Sequence, residues 1–157
     1  MTNAAPSASS RTHEFTSKSG ADTIEVGGKL ASLLVPPQLL ILRGDLGTGK
    51  TTLVKGIAQA LEAADPDEVT SPTFTLLHEY HGARGGQPVK LFHLDVYRLE
   101  GERQLETLGL DELFTPDALV LVEWGEKFKS IRKRSTGEIV IESVGGDARK
   151  ITVTLKE

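Results

Sequence analysis

Leu39-Leu40-Ile41-Leu42-Arg43-Gly44-Asp45-Leu46-Gly47-Thr48-Gly49-Lys50-Thr51-Thr52 is the stretch that decides the fold of this chain. Its apolar start predicts a buried strand, and residues 44–51 match the complete phosphate-binding pattern G-x-x-x-x-G-K-[ST]. A helix over 50–63 is predicted next, because apolar residues recur at helical spacing at Leu53, Val54, Ile57, Ala58 and Leu61. Strand, glycine loop and helix, in this order, are the context that identifies a phosphate-binding loop (P-loop).

The residue types of the loop suit a polyphosphate. Gly44, Gly47 and Gly49 permit close backbone approach and positive φ, so successive N–H groups can converge on phosphate oxygens. The loop ends at a helix N-terminus, which also favours an anion. Lys50 is expected to reach the β- and γ-phosphates, and the Thr51 hydroxyl is expected to hold Mg²⁺.

Composition describes one globular domain. The chain has 157 residues, of which 38% are hydrophobic and 25% charged, with a net charge of −4, which does not favour a bulk nucleic-acid binder. It has no cysteine, which excludes disulfides and thiolate metal sites. We expect residues 1–12 to be a disordered tail and 13–157 a P-loop domain. With neither a secretory signal nor an apolar run long enough to span a membrane, a cytoplasmic protein is expected.

The remaining pattern predicts an α/β fold with a mixed parallel and antiparallel sheet flanked by helices. A helix is predicted over 19–34, and short helical pieces over 102–108, 111–114 and 126–134. The predicted strands are 11–17, 38–42, 75–80, 89–94, 118–122, 138–144 and 150–155. We expect 75–80 and 89–94 to form an antiparallel hairpin through the five-residue loop 82–86, because that loop is rich in glycine.

Two acids end apolar strands and are candidates for a second Mg²⁺ ligand. Leu91-Phe92-His93-Leu94 runs into Asp95, and residues 118–122 run into Glu123. One acid could hold the metal while the other positions a water, and either could instead cap the turn after its strand. His93 is interpreted as a core histidine with its hydrogen bonds satisfied.

Three further segments could serve the site or the surface. Residues 70–75, with four hydroxyls and a proline, are suited to a γ-phosphate-sensing switch loop and equally to an ordinary turn. Trp124, the only tryptophan, follows Glu123, which favours a role at the site over a core role. The run 127–134 has five basic residues in eight and is interpreted as a solvated helix face, with docking of RNA or an acidic partner as the alternative.

Taken together, these motifs resemble the TsaE family, the small bacterial ATPases needed for threonylcarbamoyladenosine (t6A) modification of tRNA. The resemblance covers roughly residues 14–156 and rests on the P-loop and four further motifs. These are Thr70-Ser71-Pro72-Thr73-Phe74-Thr75-Leu76, His93-Leu94-Asp95-Val96-Tyr97-Arg98-Leu99, Leu108-Gly109-Leu110 and Val122-Glu123-Trp124.

The resemblance implies that ATP and Mg²⁺ are the cofactors. It implies that phosphates are bound by Gly44, Gly47, Thr48, Gly49, Lys50, Thr51 and Thr52, with Thr23 approaching the adenine. Mg²⁺ would be held by Thr51 and Glu123, and hydrolysis would require Lys50, Asp95 and Glu123. Ser71, Thr73, Thr75 and Trp124 would form the switch and partner surface.

The partners implied by the resemblance are the TsaB and TsaD proteins, whose turnover ATP hydrolysis would support. Transfer RNA would be reached only through that complex, and no membrane is involved. A GTPase is disfavoured, because the chain lacks the [NT]-K-x-D motif. A small-molecule kinase, or a nucleotide-gated binding module with incidental hydrolysis, remains open as an alternative to the ATPase.

Overall fold

Helices and strands are interspersed along the chain in a computed structural model that describes residues 10–45, 47–72 and 76–156. The strands are β1 (Ser10–Ser17), β2 (Gln38–Arg43), β3 (Leu77–Arg84), β4 (Gln87–Asp95), β5 (Ala118–Glu123), β6 (Gly137–Gly145) and β7 (Ala148–Lys156). The α-helices are α1 (Gly20–Leu33), α2 (Lys50–Ala60), α3 (Glu102–Glu106), α4 (Leu110–Leu113) and α5 (Lys129–Arg134), with 3₁₀ turns at Pro66–Glu68 and Gly125–Lys127. Within the described ranges, no helix has the length and apolar character needed to cross a membrane.

All the described strands join one mixed sheet, in the order β1-β7-β6-β2-β5-β4-β3. The strand β2, which leads into the P-loop, lies at the centre and pairs in parallel with both β5 and β6. β4 continues the parallel part beside β5, whereas β1–β7, β6–β7 and β3–β4 are antiparallel. The predicted α/β class with a mixed sheet is therefore confirmed.

The central strands are apolar on both faces because both faces are covered. In β2, Leu40 and Leu42 pack with the buried residues of α1 and α2, while Leu39 and Ile41 pack with the other cluster, which contains Phe128 and residues of α3–α5. Parallel strands covered in this way lack a polar face. The burial fixes β2 and β5 side by side, so their carboxyl ends meet at one edge of the sheet.

The helices α1 and α2 approach each other closely at two glycines. A Cβ at Gly27 would lie 2.4 Å from the Leu53 carbonyl oxygen, and one at Gly56 would lie 2.0 Å from that of Ile24. The predicted helix over 19–34 is confirmed in spite of its two glycines, and the Ser19 side chain caps it by accepting from the Asp22 N–H. The close packing of α1 against α2 thus explains why Gly27 occurs in this helix, although glycine lowers helix propensity.

The predicted hairpin is confirmed, but its loop is shorter than expected. β3 runs through Arg84, and only Gly85 and Gly86, with φ of 57° and 84°, form the turn. Gly82 lies within the strand, paired with Val89, and this position takes a glycine because a Cβ there would meet the Leu61 carbonyl oxygen at 2.2 Å. The prediction of a five-residue loop was wrong because Gly82 serves close packing rather than chain reversal.

At the amino end, β1 begins inside the predicted tail. Residues 10–12 pair with β7, so their assignment to a disordered tail is corrected, while residues 1–9 of that prediction lie outside the described residues. The predicted strand over 11–17 is confirmed, and it lies at an edge of the sheet. The predicted helix over 126–134 is divided into the 3₁₀ turn and α5.

Replacing Gly56 by alanine is expected to lower the free energy of unfolding by about 1–3 kcal/mol, because the new methyl overpacks the contact between α1 and α2. The matched change Gly28→Ala adds a Cβ whose nearest neighbour, the Cβ of Ala60, is 3.9 Å away. It is expected to raise stability by about 0.5–1 kcal/mol, because alanine is the better helix former. Urea denaturation measures both, and equal effects would contradict the packing argument.

Candidate functional site

A cleft of about 730 Å³ opens at the carboxyl edge of the parallel strands, beside the start of α2. It is lined by Gly47, Gly49, Lys50, Thr51, Thr52, Ser71, Asp95, Tyr97, Glu123 and Trp124. Every lining residue except Tyr97 was a candidate from the sequence. The structure therefore brings P-loop, both strand-end acids and the lone tryptophan into one site.

The P-loop takes its shape from positive-φ glycines and from internal hydrogen bonds. Gly47 and Gly49 have φ of 80° and 104°, a region that suits glycine and is strained for other residues. The Thr48 hydroxyl donates to the Asp45 carbonyl at 2.7 Å, so this side chain holds the loop instead of lining the cleft. Gly44 also lies behind the loop, where a Cβ would meet the Thr48 hydroxyl at 2.7 Å. Leu46 lies outside the described residues.

Lys50 is held by groups of the site itself. Its ammonium donates to the Gly44 carbonyl at 2.7 Å and lies 3.4 Å from Glu123 Oε1. The ammonium also lies 5.5 Å from the centroid of the Trp124 ring. The cation thus sits at the mouth of the P-loop, where a phosphate would compete for it.

Glu123 is the buried acid of the site. Its side chain is 6% exposed, and Oε2 lies 2.6 Å from His93 Nε2. Burial raises the pKa of Glu123, but the hydrogen bond and charge of His93 and the charge of Lys50 outweigh it, so the pKa falls below its usual value. Glu123 is therefore an ionised carboxylate facing the cleft.

Asp95 lies beside Glu123 but has a different environment. The two residues are register partners on β4 and β5, so both strand-end acids reach the same cleft. Asp95 is half-buried, and its Oδ1 accepts the Tyr97 N–H at 2.9 Å, which caps the turn after the strand. It does not share the ion pair with Lys50, which distinguishes the two acids.

The oxygen atoms around the cleft suit a hard cation. Thr51, Asp95 and Glu123 supply a hydroxyl and two carboxylates, the donor types that Mg²⁺ prefers. Across the described ranges, no three histidine or acidic side chains cluster closely enough to hold a metal by themselves. A site with few protein ligands is common for Mg²⁺, which often takes one or two ligands from the protein and the rest from phosphates and water.

An aromatic pair forms the rim of the cleft. Trp124 has a left-handed backbone, with φ of 66° and ψ of 16°, and its ring lies 4.8 Å from that of Tyr97. A bulky residue in this region is strained, and such strain is frequent at functional sites. Tyr97 is 57% exposed, so the pair presents an aromatic face beside the site.

Much of the basic run 127–134 is bound within the fold. Lys127 Nζ donates to the carbonyls of Tyr97 and Leu99 at 2.5 and 3.2 Å, which ties the rim to the 3₁₀ turn. Arg132 donates to the Glu126 carbonyl at 2.5 Å, and Arg134 forms an ion pair with Asp111. These contacts support a structural role for the run more than a docking surface.

Of the predicted site residues outside the P-loop that the structure describes, Thr23 is the one that does not line the cleft. Thr23 is buried, with its hydroxyl 2.8 Å from that of Ser17 and donating to the Ser19 carbonyl, and it does not line the cleft. Thr73 and Thr75 of the predicted switch loop lie outside the described residues, so only Ser71 of that loop is seen at the cleft.

Arg149, at the start of β7, was missed by the sequence reasoning. Its Nε donates to the Thr48 carbonyl at 2.6 Å, Nη2 to that of Gly47 at 3.5 Å, and Nη1 to that of Gly146 at 2.8 Å. The guanidinium therefore ties the P-loop to the β6–β7 hairpin. Because Arg149 lies far from the loop in sequence, no local pattern could have placed it.

The interpretation of His93 as a core histidine with its hydrogen bonds satisfied is corrected by the structure. His93 is buried as expected, yet its Nδ1 has no hydrogen-bond partner among the described residues, so it is not a fully satisfied core histidine. Tyr97 was not a candidate from the sequence, because its partner Trp124 follows the neighbouring strand β5 and the contact depends on the tertiary structure.

Comparison with known proteins gives a consistent family. The protein-family model described as "Threonylcarbamoyl adenosine biosynthesis protein TsaE" matches residues 17–151 of the chain. The chain is 40% identical over 133 residues to the tRNA threonylcarbamoyladenosine biosynthesis protein TsaE of Bacillus subtilis, covering 85% of this chain and 79% of that protein. Identity to TsaE of Treponema pallidum is 36% over 137 residues, covering 87% and 96%.

The fold has a solved counterpart in the crystal structure of YdiB from Bacillus subtilis. The two chains superpose with a TM-score of 0.66 at 32% sequence identity, and the match covers 94% of this chain and 88% of that one.

Replacing Arg149 by methionine is expected to speed amide hydrogen exchange at residues 47–50 roughly tenfold, because losing charge-assisted hydrogen bonds costs about 1.5 kcal/mol. In Arg149→Lys, the exchange rate at these residues should be intermediate between those of the wild type and of Arg149→Met. The control is Lys150→Met, which removes only a surface ion pair with Glu14 at 3.8 Å. Equal exchange in the methionine variants would show that the guanidinium does not hold the loop.

Proposed function

The chain belongs to the TsaE family, and on that premise we propose that it binds and hydrolyses ATP in support of t6A formation at position 37 of tRNA. The observation that carries the proposal is the convergence of Lys50, Thr51, Asp95 and Glu123 on one cleft beside the P-loop. Family membership supports the t6A role, and the geometry of the cleft supports the nucleotide chemistry.

The P-loop would hold the phosphates through backbone N–H groups at the start of α2. Lys50 would exchange the Gly44 carbonyl and Glu123 for the β- and γ-phosphates. The Thr51 hydroxyl and the Glu123 carboxylate would hold Mg²⁺. When bound, that cation neutralises charge on the phosphate oxygens.

Glu123 and Asp95 would have different roles, one in binding the metal and the other in positioning the water. Glu123 would be the metal ligand, because its Oε1 faces Lys50, the group that leaves when phosphate arrives. We assign to Asp95 the positioning of the attacking water, since it lines the same cleft without an ion pair to Lys50. This choice follows the distinct environments of the two carboxylates.

Hydrolysis by the isolated chain is expected to be slow. Among the described residues, no arginine lines the cleft, and an arginine that meets the transferring phosphoryl group is a frequent source of rate in P-loop enzymes. The TsaB and TsaD proteins are the proposed partners, and they would gate or activate the site. Transfer RNA would be met only through that complex.

Lys50→Ala is expected to lower t6A formation at least about 100-fold under multiple-turnover conditions, because the phosphate charge loses its main partner. The assay contains purified TsaB and TsaD, tRNA and ATP, with or without this chain. The matched control is Lys55→Ala, which changes a lysine of the same helix that does not line the cleft.

Three results would overturn or redirect the proposal. No ATP-dependent gain from the wild-type chain would remove the t6A assignment. Transfer of phosphate from ATP to a small acceptor would favour a kinase. Full turnover with a non-hydrolysable ATP analogue would favour a nucleotide-gated binding module.

Conservative changes of the two acids separate their roles. Glu123→Gln is expected to weaken Mg²⁺-dependent ATP binding at least about tenfold, because a neutral amide is a poor ligand for a hard cation. Asp95→Asn should leave that affinity near wild type and lower the hydrolysis rate. Affinities are measured by calorimetry with Mg²⁺ and again with EDTA, and the reverse pattern would exchange the two assignments.

A further inference from the structure

Glu123 changes partners in the proposed reaction, and a residue beneath the cleft stays bound to it. We propose that His93 is a positioning residue that fixes the Glu123 carboxylate while Lys50 leaves it for the phosphates. The inference rests on the proposed function, in which Lys50 binds ATP and Glu123 binds Mg²⁺. It gives a role to a histidine whose burial alone would suggest plain core packing.

The sheet register brings His93 under the acid. On the parallel pair β4–β5, His93 lies opposite Leu121, and Asp95 lies opposite Glu123. Residues two apart on a strand share a face, so His93 and Asp95 point to the same side of the sheet. His93 is 0% exposed, and its Nε2 lies 2.6 Å from Glu123 Oε2. Because an ionised carboxylate only accepts, Nε2 is the donor.

The other ring nitrogen argues against a role in packing alone. His93 Nδ1 is buried without a hydrogen-bond partner among the described residues. An unsatisfied buried polar atom is unfavourable, and an aliphatic side chain would fill this interior position without that penalty. Among the described residues, the bond to Glu123 is the one hydrogen bond of the ring, and it is directed at the cleft.

The two oxygens of Glu123 have separate partners. Oε2 is bound by His93 below, while Oε1 lies 3.4 Å from Lys50 Nζ above. Once Lys50 turns to the phosphates, Oε1 is released and Oε2 is not. The carboxylate then keeps its position, because a buried histidine cannot follow the nucleotide. Groups that orient a metal ligand in this way commonly change metal affinity or activity by about 10–100-fold when removed.

The test measures Mg²⁺ binding directly, on the full chain loaded with a non-hydrolysable ATP analogue. Trp124 is the only tryptophan and follows Glu123, so its fluorescence during a MgCl₂ titration reports on this acid. His93→Leu removes the donor, whereas His93→Gln keeps an N–H donor at similar reach. The matched control, Leu91→Val, alters a buried residue on the same face of β4 and leaves the hydrogen bond intact.

His93→Leu is expected to weaken Mg²⁺ binding about 10–100-fold, with His93→Gln and Leu91→Val near wild type. Affinity for the analogue in EDTA should be unchanged in all variants. If His93→Leu does not fold, His93→Asn replaces it, since its shorter amide cannot reach Oε2 and the same loss is expected. Thermal midpoints are recorded for each variant.

Two outcomes would overturn the role of His93 while leaving the proposed function in place. One is wild-type Mg²⁺ affinity in His93→Leu. The other is a loss in both His93→Leu and Leu91→Val that follows their thermal midpoints, which would show a structural effect only. A wild-type chain without Mg²⁺-dependent binding of the analogue would overturn both proposals together.

Discussion

The structure of the cleft depends on the interactions that compensate the buried charge of Glu123. A carboxylate removed from water is strongly unfavourable unless it is paired and hydrogen-bonded. Here the partners come from two other elements, since His93 is on β4 and Lys50 begins α2. The carboxyl ends of β4 and β5 and the start of α2 must therefore meet within a few ångströms, and this requirement places the P-loop directly over the acid.

The P-loop depends on close packing behind it as much as on its own glycines. Gly44 lies where a Cβ would meet Ile141 at 2.8 Å, and Arg149 binds the carbonyls of Thr48 and Gly47. These contacts hold the carbonyl side of Gly47 and Thr48 against the β6–β7 hairpin. The β6–β7 hairpin, which contributes no residue to the cleft lining, thus shapes the phosphate site.

The inner and outer parts of the cleft differ in character. The inner part holds the ion pair of Lys50 and Glu123, while the outer rim is the aromatic pair Tyr97 and Trp124. Trp124 joins them, because it follows Glu123 in the chain and its ring lies near the Lys50 ammonium. A change at the phosphate site therefore has a short physical route to an exposed surface.

The sequence by itself determined the P-loop, the α/β class and both strand-end acids, because each depends on local spacing or on the periodicity of apolar residues. It also predicted the antiparallel hairpin, though not that Gly82 serves packing. Only the tertiary structure decided the contacts of His93 and Arg149 and the separation of Thr23 from the cleft. These depend on strand register and on contacts between residues far apart in the chain, which leave no local signal. A buried hydrogen bond such as that between His93 and Glu123 exists only once two strands are paired and covered.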